Sequence, residues 1–177
     1  ANRIGVFIML ESVRLMQEED LTIEEVDALT GTAIGWPRTG TFRLADMVGI
    51  DVLAHVAANF AGTGSMPPFI QTMLERRWLG DKTKQGFYKK EKDGEGKEIR
   101  LVLDWKTLEY VPAIRPKIPS LEMAKNAEQL PQRLVQLLAG DARKDKAARF
   151  HWRLLSSLWN YAADCLPEIA DNAASVD

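Results

Sequence analysis

A chain of 177 residues is long enough for one ordinary domain and short of a comfortable two. Its 46% hydrophobic and 27% charged content marks a globular protein, and a net charge of -2 excludes any general attraction to nucleic acid or to an anionic membrane. A lone cysteine, Cys165, and two histidines, His55 and His151, exclude a disulfide framework, a cysteine zinc site and a histidine-rich metal site. The single thiol suits a reducing, cytoplasmic setting.

Ile4 to Leu10 is continuously apolar and stops at Glu11, well short of the ~20 residues a membrane span needs. Val6, Phe7, Met9, Leu10, Val13 and Met16 fall at helical spacing, and the first two turns are apolar all round. That predicts a helix central to a bundle, with Gly5 tolerated through close approach of a neighbour. Thr22 and Glu25 form a capping box that opens a second helix, ending at Gly35. Gly35 to Thr41 reads as a loop, and a third helix starts near Thr41 or Phe42. Gly49 breaks it, and a fourth helix covers Asp51 to Phe60. After a loop at Gly62 to Ser65, Pro67 opens a helix that runs to Trp78. Glu18-Glu19-Asp20 and Arg76-Arg77 read as ordinary helix surface.

Beyond Gly80 the period changes. Gly86-Phe87-Tyr88 and Ile99 to Leu103 flank Asp93-Gly94-Glu95-Gly96, which signals a β-hairpin. Pro112, Pro116 and Pro119 mark an extended connector. Ser120 caps a helix reaching Ala139, Gly140 to Lys146 is a charged linker, and an amphipathic helix from Ala147 to Leu166 is interrupted by Pro167. Sliding the chain by 150 residues matches Arg3 with Arg153, Glu18 with Glu168, Val26 with Val176 and Asp27 with Asp177. This weak repeat suggests a truncated second copy of the first helix. Both ends of the chain fall beside helical stretches, so the reading is of a piece of a longer protein.

Several motifs stand together in order: Ala1-Asn2-Arg3-Ile4, Val26-Asp27, Gly35-Trp36-Pro37-Arg38-Thr39-Gly40-Thr41-Phe42-Arg43-Leu44-Ala45-Asp46-Met47-Val48-Gly49-Ile50-Asp51, and Lys82-Thr83-Lys84-Gln85-Gly86-Phe87-Tyr88. Residues 1–90 resemble the C-terminal helical domain of L-3-hydroxyacyl-CoA dehydrogenases. The rest is similar to the large bacterial members of that family, in which a degenerate second copy follows. The resemblance implies a mainly α fold, a helical bundle like the C-terminal domain of 6-phosphogluconate dehydrogenase, with a β-hairpin insertion. It divides the chain into the helical domain (1–90), hairpin and connector (91–119) and a helical extension (120–177).

The resemblance also implies that the whole enzyme binds NAD in a separate Rossmann domain, which carries the catalytic histidine and its glutamate. Gly62-Thr63-Gly64 is no dinucleotide fingerprint, so this chain alone should neither bind NAD well nor turn over substrate. Its partners would be an acyl-CoA substrate and a second copy in a homodimer, with no nucleic acid and no membrane. Asn2 carries over as the catalytic residue, its amide donating to the oxygen that gains charge as hydride leaves C3; as a residue type it equally suits a helix N-cap. Trp36, Pro37 and Phe42 could line the acyl-chain side of the cleft or form a turn with a core Trp. Thr41 stands where the family usually has Pro.

The lysines at 82, 84, 89, 90 and 92 suit a solvated hairpin edge or the phosphates of CoA. Gly86-Phe87-Tyr88 anchors the domain end to its own core. Cys165 reads as a small buried residue, and Trp152, Leu155, Leu158 and Trp159 read first as core, or, if the second copy is truncated, as a stripe partly exposed for association with another chain. Two rival functions remain, a non-catalytic dimerisation module and the helical domain of a dehydrogenase for a non-CoA hydroxy acid.

Overall fold

The computed structural model describes residues 2–58, 66–141 and 144–169. Among them are eight α-helices and one small antiparallel sheet, so the fold is mainly helical, as expected. No helix of the described residues is long and apolar enough to cross a membrane.

The first helix, α1 (Asn2–Glu18), buries Val13, Leu15 and Met16. Its first two turns are less central than their composition predicts. Ile4, Phe7 and Ile8 are only half-buried, and nothing lies within 4 Å of a Cβ placed on Gly5, so no neighbour approaches there. The capping box forms as expected at the start of α2 (Ile23–Leu29). That helix ends at Thr30, five residues before the predicted Gly35, because the Thr30 hydroxyl is drawn into bonds with Val26 and Thr41. A 3-10 turn at Thr32–Ile34 then leads to α3 (Gly40–Val48) and, past Gly49, to α4 (Ile50–Ala58). The expected end of that helix at Phe60 and the loop at Gly62 to Ser65 lie outside the described residues. In α5 (Pro68–Glu75) the first turn holds Pro68, with Pro67 as its cap.

The hairpin is present as β1 (Tyr88–Lys92) and β2 (Glu98–Asp104), in register from Tyr88 opposite Val102 to Lys92 opposite Glu98. The connector supplies a third strand, β3 (Glu109–Pro112), that the proline signal concealed. Pro112 is tolerated because β3 is an edge strand, where a missing N–H costs no ladder bond. The single helix predicted from Ser120 is two, α6 (Pro119–Ala124) and α7 (Leu130–Leu138). Pro131 explains the break, since it fits only the first turn of a helix. Ser120 lies inside α6 and donates to Asp145 at 3.2 Å, and Ile118 is the cap residue.

The last helix, α8 (Lys146–Ile169), is capped by Asp145, which accepts from Ala147 N–H at 2.9 Å, and it runs through Pro167 rather than stopping there. A proline in a last turn removes one hydrogen bond and leaves the rest of the helix intact. Helix α8 lies antiparallel along α1. Arg3 binds Glu168 at 2.5 Å, Phe7 stacks on Tyr161 with centroids 4.0 Å apart, and Arg153 binds Glu18. The repeat offset carries Arg3 to Arg153 and Glu168 to Glu18, so it maps one of these ion pairs onto the other. Glu18 and Glu19 are therefore no ordinary surface. Glu19, its side chain 7% exposed, is gripped by Arg149 and Arg153. Burial opposes the charge, yet those arginines hold the carboxyl below its usual range. Of the α8 stripe, Leu155 is buried, Leu158 half-buried, and Trp152 and Trp159 exposed, so the stripe is core only in part.

Phe42, Phe87, Phe69, Met73, Val102, Phe150 and Leu154 join the helices and the sheet in one core. Close approach at Gly80 holds the sheet to α3. Its φ is +96°, and a Cβ there would lie 2.3 Å from the Asp46 carbonyl oxygen. Gly80→Ala should cost about 3 kcal/mol of stability, while Gly94→Ala, with open space around it, should stay within about 0.5 kcal/mol. Urea denaturation of the two variants checks this difference.

Candidate functional site

The four N–H groups that open α3 have no partner within the helix. The end of α2 and the loop supply them. Gly40 N–H donates to the Pro37 carbonyl at 3.1 Å, and Thr41 N–H to the Thr30 hydroxyl at 3.0 Å. Phe42 and Arg43 N–H donate to the two carboxylate oxygens of Asp27, at 2.6 and 3.1 Å. Thr41 thus has a physical reason, because a proline there would have no N–H for Thr30. Gly40, at φ +72°, is required as well, since a Cβ would meet the Asp27 carbonyl oxygen at 2.5 Å.

At the other end of α3, Asp46 accepts from Phe87 and Tyr88 N–H, both at 2.8 Å. The Tyr88 hydroxyl reaches back to Asp27 at 2.7 Å. Gly86-Phe87-Tyr88 therefore anchors the sheet to the helices, as its pattern suggested. Burial pushes Asp27 up to about 7 against the pull of these donors, and Asp46 up to about 6. Burial and the nearby Asp27 raise the Tyr88 phenol far above its ordinary value. Both aspartates stand within the sequence motifs, but no local pattern gives either a role. Their partners lie 15 to 61 residues away along the chain, beyond any local pattern.

Beside this frame lies an apolar cavity of about 30 Å³, lined by Val6, Met9 and Val13 of α1, Phe42 of α3, Leu53 of α4 and Phe87. Position 2 opens α1 one turn before Val6, on the same helix face; the Asn2 side chain is outside the described residues. Phe42 is fully buried and meets the Phe87 ring at 4.7 Å. Trp36 packs half-buried against the core and Pro37 is exposed, and neither lines this cavity. The structure thus brings Phe42 to the face of α1 and keeps Trp36 and Pro37 apart from it.

His55 is exposed on α4, while His151 is buried under α2 with Nε2 2.9 Å from the Leu29 carbonyl oxygen. Burial lowers its basicity. Cys165 is buried, as expected. Among the described residues no cluster of three or more His, Cys, Asp or Glu is placed to hold a metal ion. Lys82 pairs with Asp51, Lys89 with Glu91 and Lys90 with Glu98.

The raised aspartates fix a sign for the pH dependence of stability. From about 3.8 to about 7, folded Asp27 keeps a proton that the unfolded chain has released, so its contribution to stability falls as pH rises through that window. Tyr88→Phe removes a donor to the charged form. It should cost about 2 kcal/mol at pH 8 and clearly less at pH 5. Equal losses in urea midpoints at both values would show that Asp27 does not titrate there.

Known proteins place this geometry. The model of the 3-hydroxyacyl-CoA dehydrogenase C-terminal domain matches residues 1–90. Over the whole chain, a "Probable 3-hydroxyacyl-CoA dehydrogenase" of Bacillus subtilis is 40% identical, and the match covers 22% of that protein. A "Putative fatty acid oxidation complex trifunctional enzyme" of Rickettsia felis is 24% identical over the whole chain and 24% of its own length. The pig mitochondrial hydroxyacyl-coenzyme A dehydrogenase is 31% identical over 50% of this chain and 30% of its own length. The chain thus spans between a fifth and a third of these curated relatives. The motifs from Asn2 to Tyr88 and the frame they build have one common source: the chain belongs to the 3-hydroxyacyl-CoA dehydrogenase C-terminal domain family.

Proposed function

We propose that this chain is the substrate-cleft and dimerisation part of a cytoplasmic, NAD-dependent L-3-hydroxyacyl-CoA dehydrogenase of fatty-acid oxidation, which converts a 3-hydroxyacyl-CoA to the 3-oxoacyl-CoA. The observation that carries it is the family match over residues 1–90, which takes in both α1 and the α3 frame. Residues 91–119 form the sheet insertion and connector, and 120–177 the start of a second copy. In support, the relatives matched over the whole chain carry it as about a quarter of their length or less, whereas the pig enzyme matches only about half of it.

The reaction needs a hydride acceptor, and in this reading that is NAD. A dinucleotide crevice is built on parallel strands with a helical crossover. The three strands described here form an antiparallel meander, so these residues do not fit NAD, and it belongs to another part of the enzyme. What this chain contributes is position and polarity. The N-terminus of α1 supplies positive potential, and Asn2 donates its amide to the substrate oxygen that gains charge. In this reading the loop that carries Trp36, Pro37 and Phe42 borders the acyl portion, with Trp36 and Pro37 toward the cleft and the buried Phe42 ring supporting the loop from behind.

Exposed Met47, Val48 and Val52 form an apolar strip across the α3–α4 junction that suits a homodimer contact. The seam along α1 is already filled by α8, so the dimer forms on another face.

In the complete enzyme, Asn2→Ala should lower kcat by at least about tenfold with NAD binding little changed. NADH formation from 3-hydroxybutyryl-CoA, 3-hydroxydecanoyl-CoA and free 3-hydroxybutyrate is the measurement. Turnover of the free acid alone would replace the CoA substrate, and undiminished turnover by the variant would remove Asn2 from the chemistry.

A further inference from the structure

Asn2 is the first residue of α1, so whatever fixes the first turn of that helix fixes where Asn2 stands. That turn has little holding it from within. The opening N–H groups of a helix lack partners inside it, and no acidic residue stands in the first turn to meet their positive charge. Gly5 is exposed there, with nothing within 4 Å of a Cβ placed on it. Packing therefore gives no reason for a glycine, which disfavours helix about fivefold relative to alanine. On the inner side, the apolar cavity of about 30 Å³ lies against Val6.

Support comes from outside, from one stripe of α8. Tyr161, Cys165 and Glu168 are spaced i, i+4, i+7 and share a face of that helix. Against them lie Arg3 and Phe7, which flank Gly5 by two residues on either side. The Arg3 guanidinium donates to Glu168 at 2.5 Å and bonds to the Cys165 sulfur as well. Phe7 stacks on the Tyr161 ring at 4.0 Å, with the planes 4° apart. Tyr161 also meets the Cys165 sulfur, so one buried thiol ties the ion pair to the ring stack.

The Arg3 and Glu168 side chains are 36% and 67% exposed. An ion pair so open to water adds little to the stability of a whole fold. Its effect is local, on whether the first turn of α1 is wound or frayed. Fraying there moves the main chain at Asn2, and small misplacements of a reacting group are expensive in rate.

We propose, resting on the reading of Asn2 as the residue that meets the substrate oxygen, that Glu168 is a positioning residue for the dehydrogenase reaction: through Arg3 it keeps the first turn of α1 wound and Asn2 in place.

The test uses the complete enzyme with 3-hydroxybutyryl-CoA and NAD. Glu168→Gln keeps the shape of the side chain and removes the charge that holds Arg3. It should lower kcat about fivefold with KM for the acyl-CoA within about twofold. The urea midpoint should stay unchanged, while hydrogen exchange speeds up at residues 6–9, the first amides of α1 that can bond within the helix. Gly5→Ala stiffens the same turn without touching α8, so added to Glu168→Gln it should restore both kcat and protection. The exchanged pair, Arg3→Glu with Glu168→Arg, should do the same. Glu122→Gln breaks another exposed ion pair, with Lys125, and should change neither readout.

Unchanged exchange at residues 6–9, a kcat that Gly5→Ala fails to restore, or a fall in urea midpoint large enough to account for the lost activity would overturn the proposal. Asn2→Ala in the same assay separates the two readings. A harmless Asn2→Ala removes the role of Asn2 and the positioning role with it. A damaging Asn2→Ala beside a harmless Glu168→Gln removes the positioning role alone.

Discussion

A carboxylate buried where a helix begins is the constraint on which most of this molecule depends. Asp27 closes the N-terminus of α3 with both oxygens and receives the Tyr88 hydroxyl as a third donor. Through that one side chain, α2, α3 and the first strand are held in a single arrangement. Asp46 repeats the device at the far end of α3 with two backbone donors, Phe87 just before β1 and Tyr88 at its start. Burial raises both carboxyls, so neutral pH asks the fold to keep charge in poorly solvated positions. For Asp27 the donors and the positive end of α3 make that tolerable, whereas Asp46, near the negative end of the helix, relies on its two backbone donors. The same frame requires glycines: a Cβ on Gly86 would lie 2.0 Å from an Asp46 carboxylate oxygen. The motif from Gly35 to Tyr88 reads as one mechanical unit, two carboxylates and the glycines that let backbone reach them.

Local chemistry in the sequence was a good guide wherever the cause was itself local. Thr22 and Glu25 announce the start of α2 because both halves of the capping box lie within one turn. Asp93 to Gly96 announces the hairpin for a similar reason, since the turn needs residues that accept its backbone angles; Gly96 has φ +81°. Failures came where a distant partner decides. Helix α2 ends at Thr30 because Thr41 waits there, and no pattern around residue 30 reports that. Strand β3 hid behind Pro112, which forbids a central strand and permits an edge. Pro131 marks the start of α7, and the apolar pattern continuing from α6 into α7 conceals the break between them. Phe42 lies at the cavity beside α1, whereas Trp36 and Pro37 lie apart from it, past the 3-10 turn and the bend at Gly35.

The pairing of α1 with α8 explains a feature that composition misjudged. The first turns of α1 are apolar all round, which suggested a central helix; they are half-buried, with α8 on one side and the cavity on another. Arg3 with Glu168 and Arg153 with Glu18 are related by the same offset that relates the two segments in sequence. Two antiparallel segments related by such an offset make a self-complementary contact, since residue i meets residue j and j meets i. A weak identity of four positions thus acquires weight, because two of the four form both ion pairs at the ends of the seam. The tight grip of Arg149 and Arg153 on Glu19 adds a third anchor beside it.

Helix α3 finally acts as a partition. Phe42 and Ala45 face the apolar cavity beside α1, while Arg43, one residue along, lines a cationic groove over the sheet. A helix turns by 100° per residue, so adjacent positions can serve opposite sides without any distortion. The two sides have contrasting chemistry, dry and uncharged around Phe42, wet and arginine-rich around Arg43. Asp27 and Asp46 lock α3 at both ends, so neither surface can be adjusted without disturbing the other. The two faces are therefore set by one rigid element, and a substitution within α3 that alters the cavity wall will also disturb Arg43 beside it.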